Sequence, residues 1–369
     1  MGSQVLHQLA NRGIEATGFE RFQPGHERGA AGGETRIFRV AYKEGGQYVP
    51  MLREARGAWE SLSVECGSRL IDPCGALTIG LAQDADVRTV LEVDRQWGLG
   101  VEQIDHHEAA RRFPQHRLFE DDVMLLDRQG GLLYPQLAVR EVTALAERAG
   151  AKVIQEATVV DITESATGVA VHYLQGETTR IENFDQVIVC TGPWITRSVP
   201  KLAEQIEIRR AVLCWFAPHH ERDWRPSAFP VGIRRSGGEN TFSFFPTVGD
   251  GVKINLHAQK SVVDDPDALD RKVAAEYVGR VSAAVSRCLP GLPAQPTLVR
   301  SFMEGYTADN HGVIGRDPER PSVLVMGGFS GHGFKLAPVF ARAAVDLLFS
   351  DQTDVPIDHL ALSRLSAGI

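Results

Sequence analysis

Hydrophobic residues recur at helical spacing from the start of the chain. Val5, Leu6, Leu9 and Ala10 share one face, and Gly13 closes the segment. Ile14-Glu15-Ala16-Thr17-Gly18-Phe19-Glu20 then reads as a short strand ending in an acid. A helix leading into such a strand has the form of the second half of a βαβ unit. Two unbroken apolar runs come later. Val187-Ile188-Val189-Cys190 enters Thr191-Gly192-Pro193-Trp194, and Val323-Leu324-Val325-Met326 enters Gly327-Gly328-Phe329-Ser330-Gly331-His332-Gly333. Apolar strands that stop at glycine turns fit a sheet whose strand ends face a ligand. A long amphipathic helix is predicted from Leu336 to Phe349.

Between these landmarks the period changes. Ala138 to Arg148 reads as a helix that passes through Gly150 into the strand Ala151-Lys152-Val153-Ile154. Val159 to Thr163 and Val169 to Tyr173 alternate as half-buried strands do, residues 211–217, 240–246 and 252–258 are β-rich, and 268–287 looks helical. A chain of 369 residues is too long for one ordinary core. With no internal repeat or long linker, the pattern predicts an α/β domain interleaved with an α+β domain.

Composition narrows the partners. A formal net charge of −8 argues against a nucleic-acid or anionic-membrane binder, so an anionic substrate would need a local pocket of Arg and Lys. Cys66, Cys74, Cys190, Cys214 and Cys288 are scattered, odd in number and form no C-x-x-C. Reduced thiols are expected, with neither a disulfide framework nor a metal site. No apolar run is long enough to span a bilayer and no signal peptide is visible, so a cytoplasmic protein is expected.

In a complete βαβ unit an apolar strand and a Gly-x-Gly-x-x-Gly turn would precede the first helix, holding a pyrophosphate at its N-terminus. Only Gly2 is available as the last glycine of that fingerprint. Either the reading frame starts further upstream or this chain lacks the element. A plain helix–strand pair with no dinucleotide role is the alternative.

Three stretches carry a family resemblance: Gly33-Glu34-Thr35-Arg36-Ile37-Phe38-Arg39-Val40-Ala41-Tyr42, Lys253-Ile254-Asn255-Leu256-His257, and Gly328-Phe329-Ser330-Gly331-His332-Gly333-Phe334-Lys335. Their order and spacing resemble the monomeric sarcosine oxidase and N-methyltryptophan oxidase family, among the D-amino-acid-oxidase-like flavoenzymes. The resemblance implies an FAD-binding Rossmann-like domain, its first strand missing from this sequence, in segments 1–73, 134–207 and 309–369. A β-sheet substrate domain would occupy 74–133 and 208–308. By the same resemblance Gly2 ends the pyrophosphate fingerprint, Glu20 binds the adenosine ribose, and Val159 lies at the adenine end. Thr35, Gly192, Trp194, Gly328, Gly331, His332 and Gly333 also line the cofactor, with His332 supporting its turn.

Removing a hydride beside nitrogen needs a substrate held firmly against the flavin, and a carboxylate anchor gives that orientation. Arg supplies a planar fork and Lys a point charge. Arg39 and Lys335 match the family's carboxylate clamp; otherwise Arg39 would be a surface arginine on a helix. Lys253 matches the lysine near the flavin, where a buried cation would stabilise superoxide forming from molecular oxygen; otherwise it would be a solvent-facing strand lysine. Arg36 matches a basic residue beside the flavin. His257 and Tyr306 match pocket residues touching the substrate, although a lone strand histidine is more often a core residue.

Two positions depart from the family. Glu304 stands where the family's covalent flavin-attachment cysteine lies, so FAD is expected to be non-covalent. Gly32 replaces a histidine, which is expected to leave more room beside the flavin. The implied activity is FAD-dependent oxidation of N-methyl or other secondary amino acids, small amines bearing a carboxylate, by a monomer that releases hydrogen peroxide. A fructosyl amino acid oxidase, a dehydrogenase of the same fold, or a flavin-less binding relative are the alternatives.

Overall fold

The computed structural model describes residues 1–257 and 260–368. The first helix, Gly2–Asn11, buries Val5, Leu6 and Ala10 between the helices Pro135–Arg148 and Ala337–Ser350. Its C-terminus is closed by hydrogen bonds from Gly13 N to Ala10 O and from Ile14 N to Leu9 O, with Gly13 at φ +71°. That wrap uses up Ile14, so the strand expected from residue 14 begins at Thr17 and runs to Glu20. It pairs in parallel with Lys152–Gln155, Thr17 opposite Lys152. A second parallel pair joins Val187–Val189 to Arg320–Gly327, which also pairs antiparallel with Val313–Asp317. Ala157–Ser165, Gly168–Gln175 and Thr178–Phe184 form an antiparallel meander.

The largest sheet has eight strands, in the order Leu298–Thr307, Ile206–Phe216, Val252–Leu256, Thr241–Phe245, Val231–Arg235, Ala76–Leu81, Asp122–Asp127 and Glu102–Ile104. Its pairs are antiparallel except that between Val231–Arg235 and Ala76–Leu81. Phe113, Val281, Ala284 and Val285 cover one face in a core with Phe216, Phe229, Phe242 and Phe244. The combination of α/β and α+β architecture is the one expected.

The helix expected over 268–287 starts later, at Ala275, and ends at Cys288. Before it, Asp265 and Asp270 accept hydrogen bonds from the backbone N–H groups of Asp267 and Lys272. These local side-chain contacts compete with helical backbone bonding. The β-rich stretch expected over 252–258 forms a strand at Val252–Leu256, and Ala258 lies outside the described residues. Among the described residues no helix is long and apolar enough to cross a membrane.

Candidate active site

The segment after the strand Arg36–Phe38 is held by a residue far away in sequence. Asp127 Oδ2 accepts from Val40 N at 2.7 Å and from Ala41 N at 3.0 Å. This fixes Arg39 on one side of the anchor and Tyr42 on the other. Arg39 is 5% exposed and lies in a loop, so it is not a surface helix arginine. Lys335 approaches the same tyrosine from the turn Phe334–Leu336, its backbone anchored by Trp59 Nε1 donating to Lys335 O at 2.8 Å. Lys335 Nζ donates to Tyr42 Oη at 3.1 Å, and both cations lie over the Tyr42 ring, at 5.3 Å for Arg39 and 4.9 Å for Lys335.

Sequence reading missed the acid in this group. Glu44 Oε2 lies 3.4 Å from Arg39 Nη2, and Oε1 lies 3.2 Å from Lys43 Nζ. Burial pushes the Glu44 carboxyl up, but Arg39, Lys43, His332 and Lys335 outweigh it and bring it down to about 2. Burial lowers Lys335 to about 7, against the pull of Glu44. Arg39 Nε has no partner. One carboxylate thus faces several buried cations, and a fork atom of Arg39 is left over.

Lys253 and Arg36 hold a neighbouring loop from opposite sides. The strand Val252–Leu256 aims Lys253 inward at 1% exposure, excluding a solvent-facing lysine. Its Nζ donates to Gly33 O at 2.5 Å and Thr35 O at 2.8 Å and sits 4.0 Å from the Phe245 ring centre. Arg36 donates to the carbonyls of Thr35, Ala30 and Gly32 at 2.7, 2.6 and 2.7 Å. Burial, then the neighbouring Arg36, carries the Lys253 ammonium well below its ordinary pKa, while Glu34 opposes them. Thr35 is buried with its hydroxyl unpaired. The room expected at Gly32 is absent: a Cβ there would meet Phe302 Cε1 at 2.5 Å. Phe302, itself buried, fills that space.

Glu304 and Tyr306 are two residues apart on the strand Leu298–Thr307 and therefore share a face. Tyr306 Oη donates to Glu304 Oε2 at 2.8 Å, and Lys260 touches both, 3.3 Å from the carboxylate. Burial pushes Glu304 up, but Lys260, Arg36 and the tyrosine hydroxyl hold its carboxyl below the ordinary range. All five cysteines are free, and none occupies this strand. The glycine turn lies against the pair. A Cβ on Gly331, at φ +82°, would stand 3.0 Å from Tyr306 Oη and 3.1 Å from Glu304 Oε2. Gly328 is also left-handed at φ +62°, while Gly333 faces Phe329, whose Cβ a side chain would meet at 2.5 Å. His332 Nε2 bonds Asn310 O at 2.7 Å, tying the turn to the next strand connection. His257 Nε2 bonds Ser243 Oγ at 2.8 Å. Burial, then Lys43, Arg235, Lys260 and Arg39, lower His257 to about 3, so it is neutral.

The remaining candidates gather elsewhere. Glu20 ends its strand with Oε1 accepting from Phe22 N at 2.8 Å, and burial raises its carboxyl despite that bond. Trp194 packs 6.0 Å from the Phe22 ring, two residues after Gly192 at φ +55°. Val159 pairs with Tyr173, whose ring centre lies 4.9 Å from that of Phe19, tilted by 55°. Gly2 begins the first helix beside Cys190, whose Cβ a side chain there would meet at 3.7 Å. Among the described residues no group of His, Cys, Asp and Glu could hold a metal ion.

A glycine turn thus follows a parallel strand, with buried Lys and Arg gathered beside it. The chain belongs to the FAD dependent oxidoreductase family, matched over residues 1–347. Within it the enzyme is of the amine- and amino-acid-oxidising type, acting on CH–NH bonds. It is 33% identical to a monomeric sarcosine oxidase of Streptomyces avermitilis, over 100% of this chain and 96% of that protein. It is 28% identical to a monomeric sarcosine oxidase of a Bacillus species, covering 99% and 93%. An N-methyl-L-tryptophan oxidase of Salmonella dublin is 26% identical, covering 99% and 96%. The fold matches the open form of the amino acid oxidase NikD with TM-score 0.84 at 20% identity, covering 97% of this chain and 94% of that one.

Proposed function

We propose that this protein is an FAD-dependent oxidase of N-methyl or other secondary amino acids that releases hydrogen peroxide. The observation that carries the reading is the pair of buried cations on Tyr42, Arg39 and Lys335, with an unpaired Arg39 Nε between helix, strand and loop. A site built to hold a carboxylate in a fixed place needs such a pair.

The residues present fit the cofactor. Gly328 and Gly331 expose backbone where side chains would collide, Thr35 and His332 each carry a buried unpaired polar atom, and Glu20 supplies a carboxylate at a strand end. Gly2, Val159, Gly192 and Trp194 belong to the same cofactor reading. Bound there, FAD would supply the acceptor for a hydride from the carbon beside the substrate nitrogen and a route for the electrons to oxygen. Every other part falls to the protein. Arg39 and Lys335 orient the substrate through its carboxylate. Neutral His257, held by Ser243, and Tyr306, held by Glu304, meet the amine end without adding charge to it. Lys253 and Arg36 place two cations in a water-poor wall, where developing negative charge is stabilised most strongly. The imine product leaves to water, which splits it. Glu304 cannot form the thioether that a cysteine would, so FAD is held without a covalent bond.

The test is anaerobic mixing of FAD-loaded protein with sarcosine, other N-methyl amino acids and fructosyl amino acids. The reading expects the flavin absorbance to bleach with at least one N-methyl amino acid and peroxide to appear when air is admitted. Failure to bleach with all of them overturns it. Bleaching by fructosyl amino acids alone reassigns the substrate.

A further inference from the structure

Three N–H donors from one part of the molecule converge on a single carboxylate from another. Asp267 Oδ1 accepts from Arg21 Nη1 at 2.7 Å and from Trp194 Nε1 at 2.9 Å, and Oδ2 accepts from Arg197 Nη1 at 2.6 Å. Arg21 follows the strand Thr17–Glu20, Trp194 ends the turn Gly192–Trp194, and Arg197 lies in the helix Ile195–Ser198. Asp267 comes from the turn Pro266–Ala268, between the sheet strand Val252–Leu256 and the helix Ala275–Cys288. The turn is pre-shaped: Asp265 accepts from Asp267 N at 2.8 Å and also pairs with Arg197.

The donors are the walls beside Glu20. The Arg21 guanidinium lies 5.1 Å from the Phe22 ring and 5.8 Å from Trp194, and Arg28 covers Phe22 at 4.7 Å. Resting on the flavin reading, we propose that the 265–268 turn is a strap, and that Asp267 is a positioning residue retaining a cofactor that has no covalent bond to the protein. With a carboxylate at position 304, retention depends on how firmly the walls around Glu20 hold their places. Asp267 locks two of them, Arg21 and Trp194, to the turn between the strand Val252–Leu256 and the helix Ala275–Cys288. Parting those side chains requires the strap to let go.

Solvent access limits the size of the effect. Arg21 and Asp267 side chains are each 35% exposed and Arg197 is 47% exposed, and a lone pair so placed contributes little. Three donors sharing one carboxylate form a charge-assisted network, which is stronger than its separate pairs.

The experiment follows FAD release from the loaded chain by the rise of flavin fluorescence on dilution, for wild type, Asp267→Asn and Asp267→Ala. Asp351→Asn, which removes a more exposed ion pair with Arg316, serves as control. The strap predicts release about tenfold faster in both Asp267 variants and unchanged in the control, with high salt bringing wild type toward the variants. Amide hydrogen exchange in the flavin-free protein supplies a second readout, and Asp267→Asn should speed exchange at residues 21–22 and 264–268. FAD uptake with release within about twofold of wild type overturns the strap alone. Absence of FAD uptake by wild type overturns the flavin reading and the strap's role together.

Discussion

The two ends of the candidate site are built from the same kinds of residues but by opposite rules. Around Tyr42 and Gly33 the cations are buried: Lys253 is 1%, Arg39 5% and Lys335 7% exposed. Their partners are mostly carbonyls, a hydroxyl and one carboxylate. Around Glu20 the charges are half-exposed and answered by acids, as Arg21 and Arg197 are by the Asp267 carboxylate they share. A buried cation without a full set of counter-charges is costly to the fold, and such cost is sustained where chemistry uses it. A half-exposed pair costs little, and donors that share one carboxylate hold more firmly than a single pair. On the proposed reading one end is organised for reaction and the other for grip.

The largest expected effect breaks the reactive end. Arg39→Ala removes the carboxylate fork and leaves Glu44 with fewer partners. The KM for an N-methyl amino acid should rise by about two to three orders of magnitude, more than kcat falls, in steady-state assays. Lys253→Met keeps the length of the side chain but removes its charge. Reoxidation of the reduced enzyme by oxygen should slow by about a hundredfold, while reduction by substrate changes less, as stopped-flow half-reactions would report.

The pH dependence sharpens the contrast. Burial brings Lys335 down to about 7, so it is charged below that pH and neutral above it. A simple carboxylate such as acetate should bind progressively more weakly as pH rises from 7 to 9, by up to about tenfold per unit, with Lys335→Met flattening the slope. Asp267 is held down to about 2, since hydrogen bonds from Arg21, Trp194 and Arg197 outweigh burial, and it stays ionised throughout that range. The Asp267 strap should therefore give FAD release no pH dependence between pH 7 and 9. The smallest test concerns attachment. Acid precipitation of the loaded protein should leave all the flavin in solution, and Glu304→Cys should retain some in the pellet.

What the chain reveals in one dimension follows from the reach of each interaction. The first helix, the strand ending at Glu20 and the two apolar runs into glycine turns are set by local period, and they were legible. Lys253 stood between Val252 and Ile254, and alternation puts it on the face opposite to theirs, so its burial follows from the loop of Gly33 and Thr35 packed there rather than from the strand pattern. Asp127 was invisible, because its partners Val40 and Ala41 lie 87 and 86 residues away. Glu44 was overlooked as one more polar residue in a loop, although an acid five positions after Arg39 was the available signal. Gly32 misled by size alone. A small residue leaves space only when nothing distant fills it, and Phe302 does. Asp267 lay just before the stretch expected to be helical, 268–287, and the acids at 264, 265, 267 and 270 were the cue that the helix begins later.

Everything proposed for the reactive end depends on one arrangement, a substrate carboxylate held by Arg39 and Lys335 beside a flavin. Its most direct test mixes the FAD-loaded protein, without oxygen, with an N-methyl amino acid that reduces it and with the same compound as its primary amide. The account predicts fast bleaching of the flavin by the acid and a loss of at least about a hundredfold in rate with the amide at equal concentration. Equal bleaching by the two would contradict it.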